Sequence, residues 1–232
     1  LGAPKCGTTA LFHYLKSHPQ VFTPAIKEPH YFCTDLTGNR AVTSLDEYLG
    51  LFRSAEDRHL AVSEASAFYL FSEDAAREIL QFNEQAKFIV MLRNPVDLAY
   101  SLHSQSIYKC IEDELDFEAA WKLKDLRAQG ERIPRTCTEP KRLEYHNVAR
   151  LGEQVERLLC VVPRDRVLFI LNDEFHSDSK RIYDAVLDFL GLTPDGFVDF
   201  TPVNRNKEHG STRLAKFLRN PPRPFQFIKQ QL

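Results

Sequence analysis

LGAPKCGTTALFHYLKSHP, residues 1 to 19, decides the fold. Gly2 and Gly7 enclose four residues and lead into Thr8-Thr9, followed by apolar residues at helical spacing. A glycine-rich turn between a buried strand and a helix aims backbone N–H groups at one point, where the helix dipole adds partial positive charge. Such a turn favours an anion. The triphosphate-binding pattern G-x-x-x-x-G-K-[ST] puts its lysine directly after the second glycine. Here Thr8 holds that place and Lys5 lies inside the loop. The bland alternative is a strand-to-helix turn with a solvated Lys5.

Outward from the loop, apolar β-branched runs alternate with helical patterns, as βα units around a parallel sheet require. The clearest strand is KFIVML, Lys87 to Leu92, a continuous apolar run of the kind buried on both faces. RVLFIL (Arg166–Leu171) is a second and LAVSEA (Leu60–Ala65) a weaker third. Helices are predicted over 8–17, 44–53, 73–82, 96–110, 117–129, 143–160 and 179–190, the last stopped by Gly191. The expectation is an α/β fold: a single domain over 1–232, with a central parallel sheet flanked by helices and a P-loop-like phosphate-binding loop. A first strand ends at Leu1, so the domain reads as cut within that strand, and again within the proline-containing tail from Asn220.

The formal charge is −2, from 30 basic and 32 acidic residues, which argues against a nucleic-acid or membrane-surface binder. No run approaches the roughly 20 apolar residues of a transmembrane helix. Five cysteines, without a C-x-x-C pair, point to a reducing compartment. Cys110 with Cys137 is the first pairing to test if the protein is secreted. Histidines and cysteines show no metal-ligand spacing, and no metal is expected.

After the strand ending at Leu92 comes RNPVDLAYS, Arg93 to Ser101. Arg93 emerges at the carboxyl end of a strand, where open parallel sheets bind ligands. Its guanidinium matches phosphate oxygens. Ser101 lies about two turns into the next helix.

These two motifs resemble those of sulfotransferases that use 3′-phosphoadenosine 5′-phosphosulfate (PAPS), in particular carbohydrate and heparan-sulfate-type domains of a bacterial-like form. The resemblance implies that Lys5 contacts the transferring sulfuryl group and its bridging oxygen. It implies that Gly7, Thr8 and Thr9, with Cys6 and Ala10 in the same turn, hold the 5′-phosphate. Arg93 and Ser101 then hold the 3′-phosphate, and NRNKEHGSTRL (Asn204–Leu214) closes over the cofactor with Ser211 or Arg213 near that phosphate. KEPHYF (Lys27–Phe32) is similar to the segment after the first helix in carbohydrate-type members, which places the catalytic base at Glu28. SEASAFYL (Ser63–Leu70) resembles the segment after the second strand; heparan-sulfate members often carry a lysine where Ala65 stands.

Sulfuryl transfer asks little covalent chemistry of a protein, so positioning and charge stabilisation dominate. Lys5 would meet charge developing on the leaving oxygen. Glu28 would take the acceptor's proton, with His30 as the second candidate because small-molecule sulfotransferases use histidine. A solvated Lys27–Glu28 pair on a loop is the plain alternative. Phe117, Trp121 and Tyr145 read as packing residues. The implied acceptor is a small molecule or carbohydrate, and the implied compartment is the cytoplasm, or the Golgi lumen if a preceding segment carries an anchor. A P-loop nucleotide kinase or NTPase, or a catalytically inactive PAPS-binding protein, remain as alternatives.

Overall fold

The computed structural model describes residues 1–197 and 199–201. In chain order the elements are α1 (Thr8–Lys16), β1 (Val21–Phe22), α2 (Leu45–Gly50), β2 (Ala61–Val62), α3 (Ala75–Phe82), β3 (Phe88–Leu92) and α4 (Pro95–Tyr108). They continue with α5 (Phe117–Lys122), α6 (Lys124–Ala128), α7 (Tyr145–Val148), α8 (Leu151–Leu159), β4 (Val167–Leu171), α9 (Asn172–Ser177) and α10 (Ser179–Leu190). The described residues form two compact units. One holds Leu1–Leu98 and residues 150–201; the other holds Ala99–Ala149.

The first unit is built on parallel pairing. β3 pairs with β4 over five residues, from Phe88 opposite Val167 to Leu92 opposite Leu171. On its other side Gly2 bridges Val90 in parallel, with Ala3 N–H donating to the Met91 carbonyl at 2.7 Å and Met91 N–H to the Gly2 carbonyl at 2.7 Å. The first strand, expected to end at Leu1, is represented by this single parallel bridge at Gly2. Phe88, Val90 and Met91 are buried, as a central apolar strand requires. β1 and β2 form a separate parallel pair. α1 buries Ala10, Leu11, Tyr14 and Leu15, and Tyr14 meets the rings of Phe175, Phe197 and Phe200. α10 runs as expected, buries Ile182, Tyr183, Val186 and Leu187, and ends at Gly191 with φ 77°.

The second unit centres on a buried ion pair. Glu112 accepts from Arg127 at 2.7 Å, from Tyr145 O–H at 2.8 Å and from two backbone N–H groups, while Arg127 also donates to the Leu143 carbonyl. Both charged side chains are fully buried.

Three expected elements are broken, each by a tertiary demand. Leu143 and Tyr145 are both buried, and a spacing of two cannot face one side of an α-helix, so the 143–160 run divides into a 3₁₀ turn at Pro140–Leu143, α7 and α8. The 117–129 run breaks at Leu123, and Arg127 on α6 is drawn inward to Glu112. The 60–65 strand pairs only at Ala61–Val62, because Ala65 turns its carbonyl to Glu28 N–H instead. α9 was not legible as a separate helix.

Candidate active site

Ala3 and Leu92 leave adjacent parallel strands at the same end, which brings the opening loop beside Arg93. Arg93 Nη1 donates to the Lys5 carbonyl at 3.3 Å. Two glycines make the loop possible. A Cβ on Gly2, which has φ 134°, would lie 2.2 Å from the Ala67 carbonyl oxygen. Gly7, with φ 86°, caps α1 and packs so closely on Asn172, Met91 and Phe175 that a side chain would crowd all three. Ala10 and Leu11 N–H groups both donate to the Gly7 carbonyl. The N–H groups of Thr8 and Thr9, at the first two helical positions, have no intrahelical acceptor by helix geometry. Both threonines are half-exposed.

Lys5 is half-buried, and its ammonium is held below the usual lysine range. Burial is the main cause, the Arg93 guanidinium adds to it, and Glu28 opposes it. Two cations at one helix N-terminus form an anion-binding arrangement. Cys6 is different: fully buried, with its thiol pushed up to about 12 by burial, it is a neutral packing residue at ordinary pH.

Glu28 lies within electrostatic reach of Lys5 and is ion-paired to Lys27 at 2.6 Å, the two side chains 31% and 20% exposed. The pair is thus half-buried rather than solvated. His30 is 3% exposed, its ring beside Phe68 and Tyr69. Five non-glycine residues among those described have positive φ, and Lys5 (63°), Glu28 (65°) and His30 (50°) are three of them. Such backbone costs roughly 1–3 kcal/mol per residue and clusters where a site over-determines it.

The structure thus holds Lys5, Gly7, Thr8, Thr9, Arg93 and Glu28 within the first unit, which also contains the buried His30. Ser101 lies on α4 in the second unit and is buried. Ser211 and Arg213 lie outside the described residues. Sequence reasoning assigned no role to Glu64 or Ser66, although SEASAFYL was noted. Ser66 Oγ accepts from His30 N–H at 3.0 Å and donates to Glu64 at 3.0 Å, a bond that no local pattern signals. Among the described residues no cluster of His, Cys, Asp or Glu could hold a metal ion, and no helix is long and apolar enough to cross a membrane.

Comparison with known proteins finds sulfotransferases. Carbohydrate sulfotransferase 15 of Homo sapiens is 32% identical over 245 residues, covering 84% of this chain and 43% of that protein. Heparan sulfate glucosamine 3-O-sulfotransferase 6 of Mus musculus is 32% identical, with 83% and 51% covered. Bifunctional heparan sulfate N-deacetylase/N-sulfotransferase 4 of Mus musculus is 27% identical, with 84% and 22% covered. The chain therefore spans between 22% and 51% of these relatives' lengths. A crystal structure of a sulfotransferase from Alicyclobacillus acidocaldarius matches with a TM-score of 0.77 at 30% identity, covering 88% of this chain and 84% of that one. Residues 1–211 match the sulfotransferase domain, and the chain belongs to that family.

Proposed function

We propose that the chain transfers a sulfuryl group from PAPS to a hydroxyl or amine of an acceptor, and that the acceptor is a carbohydrate. The observation that carries the reading is the pair of cations, Lys5 and Arg93, at the glycine turn that opens α1. The residues present fit a donor with two anionic ends. First-turn N–H groups and the Thr8 and Thr9 hydroxyls suit a 5′-phosphate, and Arg93 suits a 3′-phosphate. The relatives' names supply the carbohydrate class.

When bound, the donor supplies an already activated sulfuryl group. Lys5 stabilises the negative charge that grows on the leaving oxygen, an interaction strongest in the transition state. Glu28 takes the acceptor's proton, and Lys27 fixes its carboxylate in place. Exposure favours Glu28 over the buried His30 for contact with an acceptor.

The test is transfer from labelled PAPS to a panel of glycans, phenols, amines and lipids. It is paired with calorimetry of adenosine 3′,5′-bisphosphate against AMP. Labelled glycan and a clear preference for the bisphosphate are expected. Equal affinity for the two nucleotides would remove the PAPS assignment, and label only on a non-glycan would remove the acceptor class. Glu28→Gln is expected to keep nucleotide affinity and lose at least about a hundredfold in turnover.

A further inference from the structure

We propose that Glu64, Ser66 and Tyr69 are positioning residues that hold the Glu28–Phe32 segment in its working shape, an inference that rests on Glu28 being the base. Alternate N–H groups of that segment are bound by the 65–69 stretch. Glu28 N–H donates to the Ala65 carbonyl at 2.9 Å, His30 N–H to Ser66 Oγ at 3.0 Å, and Phe32 N–H to Tyr69 Oη at 3.3 Å. Two rungs of this ladder are side-chain hydroxyls; Ser66 Oγ also donates to Glu64 Oε2 at 3.0 Å, and the Tyr69 hydroxyl lies within electrostatic reach of the same carboxylate.

A carboxylate only accepts. The Ser66 hydroxyl therefore gives its single proton to Glu64, which turns its lone pairs toward the His30 N–H, while the Tyr69 hydroxyl oxygen accepts from Phe32 N–H. The carboxylate orients the serine hydroxyl directly and acts on the tyrosine through its charge, and the two hydroxyls fix two backbone groups. Something must, because Glu28 and His30 both have left-handed backbone, which residues other than glycine adopt uncommonly. Burial raises Glu64's proton affinity, while Tyr69, Ser66 and Lys27 act in the opposite direction. Lys27, ion-paired to Glu28, thus acts on both carboxylates.

Glu64→Gln puts an amide donor beside the serine hydroxyl, which must itself donate, so that rung is weakened without a change of volume. Ser66→Ala and Tyr69→Phe each delete one rung. Turnover is measured at saturating PAPS and acceptor for the three variants, alone and combined with Glu28→Gln, together with adenosine 3′,5′-bisphosphate affinity. Each single variant is expected to lose about tenfold in turnover or more, with nucleotide affinity within about twofold. In the Glu28→Gln background they should add nothing, because they act through Glu28. Equal losses in both backgrounds, or parallel loss of nucleotide affinity, would mean a merely structural role and overturn the inference. Normal turnover in all three, with Glu28→Gln impaired, would overturn it and leave the base reading intact. Full turnover in Glu28→Gln would instead overturn the base reading. Tyr69→Phe keeps the ring in its packing and carries the test if Ser66→Ala fails to fold.

Discussion

Two of the places where the described residues take charge out of water do so on opposite terms. In the second unit Glu112 and Arg127 are fully buried, opposite in sign, and surrounded by Tyr145, the Leu143 carbonyl and two N–H groups. In the first unit Lys5 and Arg93 are half-buried and of the same sign, and Lys5 loses affinity for its proton as a result. A matched pair holds structure together, whereas an unmatched one at a helix N-terminus is arranged for something that arrives later.

The comparison breaks most visibly at Arg127. Arg127→Met leaves Glu112 buried without its cation and should cost about 3–5 kcal/mol of stability, read as a lower midpoint in denaturant. Replacing both partners by apolar residues of similar volume should recover most of that loss. Recovery that fails would show the pair to be worth more than its own desolvation.

Lys5→Ala should leave the fold intact and lower turnover by about 10²–10³, a larger effect than on nucleotide affinity. Activity should persist in excess EDTA. An absolute Mg²⁺ requirement with ATP hydrolysis would favour a nucleotide kinase or NTPase instead.

Arg93→Ala should remove a charge-assisted contact of roughly 1.5–3 kcal/mol, or about 10- to 150-fold of the preference for adenosine 3′,5′-bisphosphate over AMP. Calorimetry on the two nucleotides reads it directly. Unlike Arg127→Met, it should not lower the unfolding midpoint of the free protein.

The smallest effect is in pH. Lys5 in the fold binds its proton more weakly than an unfolded lysine near 10.4, so the unfolded state carries more protons in the window between the two values. Its cost to folding is full below the lowered value and vanishes above the unfolded one, so stability should rise with pH across that window. Lys5→Met should flatten that rise.

Most of the opening glycine-rich loop was legible in residues 1–19, because glycine, threonine and lysine at those spacings leave few conformations open. Arg93 was legible for a related reason: a continuous apolar strand announces its own end, and the residue after it must emerge at the sheet's carboxyl edge. The helices at 143–160 and 117–129 were overextended, since periodicity cannot register that Tyr145 and Arg127 are both claimed by Glu112.

The sequence by itself determined the parallel α/β pattern, the glycine turn that opens α1 and the family, because each rests on local spacing and strand order. Only the tertiary structure decided that the Glu28 carboxylate acts electrostatically on the half-buried Lys5, and that Glu64 reaches the Glu28–Phe32 segment through Ser66. The bonds from His30 to Ser66 and from Phe32 to Tyr69 join residues 36 and 37 positions apart. Burial and hydrogen-bond direction arise only when the strands align, and no residue carries them in its own spacing.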